Sequence, residues 1–159
     1  MNKTNLKQQL KEILSAELDR MTRSANADRA GAIHEESRAE GAKDTRATEA
    51  SYVARGKAMR VADLQEALKR VSFMELRSFG PDDPIGQSAL VCVETETDER
   101  WYFIVPGGPG YTLQAGETQV LTITLQSPFG QELEGKQEGD DFDFNRGGKL
   151  EEMVIIEVV

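Results

Sequence analysis

The strongest constraint on this chain is a proline-free run from residue 4 to about residue 40. In it Leu6, Leu10, Ile13, Leu14, Leu18, Met21 and Ala25 recur at steps of three and four, with charged residues filling the gaps. Apart from Gly31 and a few short polar side chains, the residues are strong helix formers. At 1.5 Å per residue, about 35 helical residues extend about 50 Å, more than a small globular core can cover. The pattern breaks around residues 41–45 and resumes through Ala47, Ala50, Ala54, Ala58, Val61, Leu64, Leu68 and Val71. Two helices of comparable length with a short connection predict an antiparallel hairpin. Its seam is Leu, Ile and Val near the base but mostly alanine toward the turn, at Ala25, Ala30, Ala32, Ala39, Ala47, Ala50 and Ala54. Small seam residues let helices approach closely, so the expected shape is a slender charged finger. A helical segment that only mediates dimerisation is the plainer alternative.

After Val71 the pattern changes to strand. Phe73, Met74 and Leu76 lead to a turn at residues 80–84, and β-forming runs follow at 89–95 and 100–105, joined by a hairpin turn at 97–99. Residues 106–110 read as a loop and 118–125 as another strand. Ser127 and Pro128 have the form of a helix start, an N-cap serine with proline at the first helical position. A short helix at 129–133 then closes at Gly135. A strand at 141–144, a turn at 145–148 and a strand at 152–159 complete the chain. The expectation is an α+β protein: a helical hairpin (coiled-coil finger) over residues 1–71, then an antiparallel sheet module with one short helix over 72–159.

Charge separates the same two parts. The net charge is −9, but residues 1–71 hold 14 Lys+Arg against 11 Asp+Glu (+3), whereas residues 72–159 hold 5 against 17 (−12). A surface as acidic as the second part repels free nucleic acid and suits a basic protein partner. Cys92 is the sole cysteine and His34 the sole histidine, so neither an internal disulfide nor a Cys/His metal cage can form. No apolar run approaches the ~20 residues that span a bilayer, and the first residues lack the apolar core of a secretory signal. These features predict a cytoplasmic protein without structural zinc and without a membrane partner.

One string is more specific. The stretch Ser127-Pro128-Phe129-Gly130-Gln131-Glu132-Leu133-Glu134-Gly135-Lys136-Gln137-Glu138-Gly139-Asp140 resembles the S-P-x-G-x-x-L-x-G-K-x-x-G-D pattern in the C-terminal domain of the Gre transcript-cleavage factors. The ending Met153-Val154-Ile155-Ile156-Glu157-Val158 resembles that family's terminal strand. A long hairpin followed by an FKBP-like sheet domain is also the family's layout. Related polymerase-binding regulators of nucleoside diphosphate kinase share the sheet domain but carry a much shorter hairpin, so hairpin length favours the Gre side.

The resemblance implies a monomeric factor that is not itself an enzyme. Its C-terminal domain would dock on RNA polymerase, with Ser127, Pro128, Phe129 and Gly130 as contact residues. Its hairpin would enter the secondary channel and stimulate cleavage of backtracked RNA. No cofactor is expected on the protein alone. The tip acids would help hold an Mg²⁺ ion shared with the polymerase, which suits hard carboxylate oxygens. The family's tip motif G-D-x-x-E-N-A-E-Y is approached here by residues 43–52, anchored by Asp44 and Tyr52, with Glu49 as the second acid. Asp44 and Glu49 stand five apart, with Arg46 between them, where the family spaces its pair by three. On a continuous helix such a pair diverges, so Asp44 converges with Glu49 only from within the turn. Occupancy of the channel without cleavage, as an inhibitor or initiation modulator, is the alternative.

Other features carry less. Lys3, Lys7, Lys11, Arg20 and Arg23 read as solvated positions with helical partners, or as contacts to RNA or polymerase. Trp101, Tyr102 and Phe103 read as sheet residues, Cys92 as a buried small hydrophobe, and residues 107–110 as a plain turn. No nucleophile–base pair is visible. A peptidyl-prolyl isomerase activity, conceivable from the fold alone, would need an apolar aromatic pocket.

Overall fold

The computed structural model describes residues 1–36 and 45–159. Helix α1 runs Lys3–Glu36 and helix α2 runs Thr45–Phe73. They pack antiparallel: Glu17 meets Arg60 while Asp28, further along α1, meets Lys57, earlier in α2. The part of the expected first helix beyond residue 36, and the break itself, lie outside the described residues.

Six strands follow: β1 Leu90–Glu94, β2 Glu99–Ile104, β3 Thr112–Ala115, β4 Thr118–Ile123, β5 Asp141–Arg146 and β6 Lys149–Val158. Helix α3, Pro128–Leu133, sits between β4 and β5 in the chain. The strands form one sheet in the order β3-β4-β2-β1-β6-β5. The α+β class therefore holds, with one difference. β4 lies between β2 and β3, paired parallel to β2 and antiparallel to β3, so the sheet is mixed rather than wholly antiparallel. The short strand β3 and its turn at Gly116 lie between the expected loop at 106–110 and the expected strand at 118–125, where the sequence suggested no element. Phe73, Met74 and Leu76 are not a strand: α2 continues to Phe73, and Met74 is buried beneath it.

The period of two divides the central strands β1, β2 and β4 between two cores. On one face Leu90, Phe103, Leu113 and Val120 meet Leu6, Leu10 and Leu14 of α1 and Leu64, Ala67 and Val71 of α2. On the other, Val91, Val93, Tyr102, Ile104, Met153 and Ile155 meet Leu133 of α3 and the segment around Phe79 and Ile85. The base of the hairpin is thus a layer of the body. Burying a leucine such as Leu10 removes it from water at a gain of about 1.5–3 kcal/mol. The loop at residues 107–110 is more than a plain turn. Gly108 has φ +102, which favours glycine, and a Cβ there would lie at ordinary contact distance, 3.6 Å, from Ala67 and Leu14 of the hairpin base.

Beyond this base the hairpin stands clear of the sheet. Among the described residues the last fully buried side chain on α1 is Leu14, and the first on α2 is Leu64. The seam continues half-buried through Leu18, Met21, Ala25 and Asp28 against Val61, Lys57, Ala54 and Ala50. Ala30 and Ala58, both expected in the seam, are exposed. Lys57 takes the position expected for Ala58, because the seam steps three residues from Ala54 rather than four.

Candidate functional site: the finger, its mounting and the helix-start loop

The outer part of the finger is polar and narrow. Lys57 Nζ lies 2.6 Å from Asp28 Oδ2 and donates to Ser24 Oγ at 2.8 Å, tying the two helices together across a seam of alanines. Alanine offers little shape to fix the register of two helices. A charged pair at one depth does so, because sliding by a turn leaves both groups unpaired. Further out, Glu49 lies near the start of α2 with its side chain exposed, and Tyr52, one turn on, is 70 % exposed. Asp44, the other proposed tip acid, falls outside the described residues, as do Lys43 and the rest of the break. Among the described residues no group of three or more His, Cys, Asp or Glu is placed to hold a metal ion. What the described part of the tip offers is one accessible carboxylate, a hard oxygen donor suited to completing the shell of an ion held mainly elsewhere.

The finger is mounted through α1. Tyr111, just before β3, donates its hydroxyl to Glu17 at 2.5 Å, and Glu17 also faces Arg20 and Arg60 at 3.8 and 3.9 Å. Burial and the Glu17 carboxylate push the Tyr111 phenol well above its ordinary range, so it remains a donor. Gln9 uses both ends of its amide on Gln114 of β3: its nitrogen donates to the Gln114 carbonyl at 2.8 Å, and its oxygen accepts the Gln114 N–H at 3.0 Å. Lys3 and Lys7 are not ordinary solvated positions. They donate to the carbonyls of Arg77 and Met74 at 2.6 and 2.7 Å, just past the end of α2. Burial, then the nearby Arg77, lowers the Lys3 amine to about 8. The periodicity that placed these lysines on α1 held no sign of the carbonyls they reach.

The helix-start loop is built as the sequence suggested. Ser127 is the N-cap: its Oγ donates to the Thr124 carbonyl at 2.7 Å and accepts the Gly130 N–H at 3.1 Å, with Pro128 at the first helical position. Gly130 is buried, and a Cβ there would stand 2.0 Å from the Thr124 carbonyl oxygen. α3 ends toward Gly135, whose φ of +79 suits glycine. Phe129 turns inward onto Tyr102, Phe142 and Phe144, at ring separations of 4.7, 6.0 and 4.9 Å. Of the four residues expected to touch a partner, Pro128 alone is exposed; Ser127 and Phe129 are half-buried and Gly130 is buried. The aromatic side chains that an isomerase pocket would need are packed on one another.

Beside this loop the structure has an open groove of about 410 Å³, where the hairpin base meets the end of the sheet. Phe73, Pro106 and Leu125 give it apolar walls, and Arg70 and Gln126 line its rim. Phe73 is 79 % exposed there. The sequence hid this feature because Phe73 read as a strand residue. Cys92 is buried, and its thiol is pushed up to about 12 by burial and by Glu99, Glu157 and Glu94 around it. No described helix is long and apolar enough to cross a membrane.

No family model matches the chain. A curated relative, the transcription elongation factor GreA of Sulfurovum sp. (strain NBC37-1), is 32 % identical over 82 residues, 52 % of this chain and 48 % of the relative. The chain thus spans about half the length of the curated relative it matches. Among solved structures, GreA factor homolog 1 (Gfh1) of Thermus thermophilus aligns over 94 % of both chains at 17 % identity and a TM-score of 0.39. The GreA/GreB factor of Nitrosomonas europaea aligns over 60 % of this chain and 78 % of its own at 21 % identity and a TM-score of 0.37. Superpositions this loose carry no weight for function. By its own helix-start motif and by the GreA relative alike, the chain resembles the Gre transcription elongation factors.

Proposed function

We propose that this protein is a cytoplasmic transcription elongation factor that acts on RNA polymerase by inserting its finger into the secondary channel and promoting cleavage of backtracked RNA. The observation that carries the reading is the finger itself. From Leu14 to Glu36, α1 continues for about 33 Å with no fully buried side chain among its described residues. A protein that needed these helices only for its own stability would bury them. A narrow rod with an exposed acid near its far end is suited to working inside another molecule.

In this reading the sheet module docks on the polymerase through Pro128 and the adjoining groove, while Ser127, Phe129 and Gly130 hold that loop in shape. Glu49, together with Asp44, would supply carboxylate oxygens to a magnesium ion shared with the polymerase. Such an ion stabilises the attacking and leaving oxygens of phosphodiester hydrolysis. The chain's own part is to carry the acids in and hold them still. It completes an active centre and is not itself the enzyme. The acidic sheet module keeps it from binding free nucleic acid and steers it toward basic protein surface.

The five-residue separation of Asp44 and Glu49, with Arg46 between, favours one second reading: a channel occupant that regulates without cleavage. A stalled, backtracked polymerase complex with end-labelled RNA separates the two. Shortening of the transcript from its 3′ end on adding the protein with Mg²⁺, lost in Glu49→Ala, supports cleavage. Competition with an active cleavage factor, with no shortening, supports the second reading. Neither effect refutes both.

A further inference from the structure

We infer that Gln9 and Tyr111 are positioning residues that set the angle at which the finger leaves the body. The apolar contacts between hairpin base and sheet are non-directional, and leucines alone tolerate a helix rocking over them. Besides the ties of Lys3 and Lys7 to the chain just past α2, two polar ties join α1 to the sheet segment at β3, and these are directional. Gln9 grips the backbone of Gln114 with a donor and an acceptor, as a neighbouring strand would. β3 is an edge strand, so this grip satisfies backbone groups that no other strand reaches. Tyr111 holds Glu17 at 2.5 Å, and Arg60 from α2 faces the same carboxylate, so both helices meet at this point.

Gln9 and Glu17 lie eight residues apart on α1, about 12 Å along its axis. One tie would leave a rod free to pivot. Two ties at that separation, both to the β3 segment, fix its direction. The leverage is large: α1 runs about 28 Å beyond Glu17 to Glu36, so a tilt of about 10° carries that end about 5 Å. A displacement of that size takes a carboxylate out of reach of an ion. What the tip does rests on the function proposed above, whereas the angle is a property of the free protein and is tested there.

The experiment is pulsed electron-spin distance measurement on the full chain in a Cys92→Ala background, with labels on Ser51→Cys in the finger and Glu117→Cys in the β3–β4 turn. The expected result is one narrow distance distribution, broadened at least twofold in the Gln9→Ala, Tyr111→Phe double variant. A second label pair within the hairpin, Arg23→Cys and Ser51→Cys, is expected to keep its distribution, which distinguishes tilting of the finger from unravelling. Tyr111→Phe alone retains the ring and serves as the conservative variant, with an intermediate width. An unchanged finger-to-body distribution in the double variant overturns the inference, as does broadening that appears equally within the hairpin. If the proposed function also holds, the double variant loses maximal cleavage about tenfold while its half-saturating concentration on polymerase stays within about twofold. Broadening without that loss leaves the angle confirmed and shows that cleavage does not depend on it, whereas absence of cleavage in the parent counts against the proposed function alone.

Discussion

Replacing Gly130 by alanine tests whether the helix-start string exists to build the fold or to touch a partner. A Cβ at this position would stand 2.0 Å from the Thr124 carbonyl oxygen, 2.8 Å from its carbon and 3.0 Å from Leu125 Cα, all backbone atoms. No rotamer change relieves such a contact, so the chain before α3 must move by about 1.3–1.6 Å to reach an ordinary carbon–oxygen separation. Overpacking of a tight site costs about 1–3 kcal/mol. The shift also breaks the Ser127 cap, whose Oγ bridges Thr124 and Gly130, at a further cost of about 1 kcal/mol. A total of about 3 kcal/mol corresponds to a fall in Tm of roughly 6–12 °C for a chain of this length. Ser127→Ala, which loses only the cap, is expected to fall by roughly 2–4 °C, and Pro128→Ala, exposed at the first helical position, by about 1 °C or less. The assay is thermal unfolding followed by Trp101 fluorescence. A Gly130→Ala protein that melts within about 1 °C of the parent refutes the steric argument. So does an order in which Pro128→Ala is the most damaging of the three. Should the order hold, Pro128 is the member of the string whose loss reports on partner binding without disturbing the fold.

Leu10→Ala removes a fully buried side chain from the contact between hairpin and sheet, and urea titration is expected to show a loss of about 2–5 kcal/mol. Cys92, with its folded-state pKa raised from 9.0 to about 12, contributes stability present in full below pH 9 and lost as pH rises toward 12. The parent should therefore lose more stability between pH 8 and pH 10 than Cys92→Ala does; equal losses by urea titration would show the thiol to be ionised in the fold. Asp28→Ala is expected to cost about 1 kcal/mol or less, because the Lys57 pair is partly exposed, yet to increase amide exchange in the outer finger well above that in the base. Uniform exchange along both helices would count against Lys57 and Asp28 as a register pin.

The hairpin was legible because a seam of leucines at steps of three and four is a strong, local signal. The α3 loop was legible because a serine cap, a proline and two glycines each do one stereochemical task. What the sequence concealed depends on contacts distant along the chain. β3 is four residues long, and nothing in Thr112 to Ala115 shows that it lies at an edge beyond β4, which is what makes the β2–β4 pair parallel. Lys57 in the seam was hidden by its charge, since only the facing Asp28 makes that position tolerable. Gln9 and Tyr111 were invisible for the same reason: their partners, Gln114 and Glu17, lie about a hundred residues away. Of the candidate site, Glu49 is exposed, Asp44 lies outside the described residues, and three of the four loop residues are occupied in shaping the loop.

The separation between a firmly packed base and an outer finger with no fully buried side chain among its described residues has a consequence for how such a protein changes over generations. Substitutions beyond Met21 on α1, or ahead of Val61 on α2, remove no buried core side chain among the described residues and cost the fold little. The outer end is therefore free to be rewritten residue by residue, acids gained, lost or respaced, while the body that mounts it stays intact. Under the function proposed above, one scaffold of this design would pass between promoting and blocking the same reaction without crossing a stability barrier.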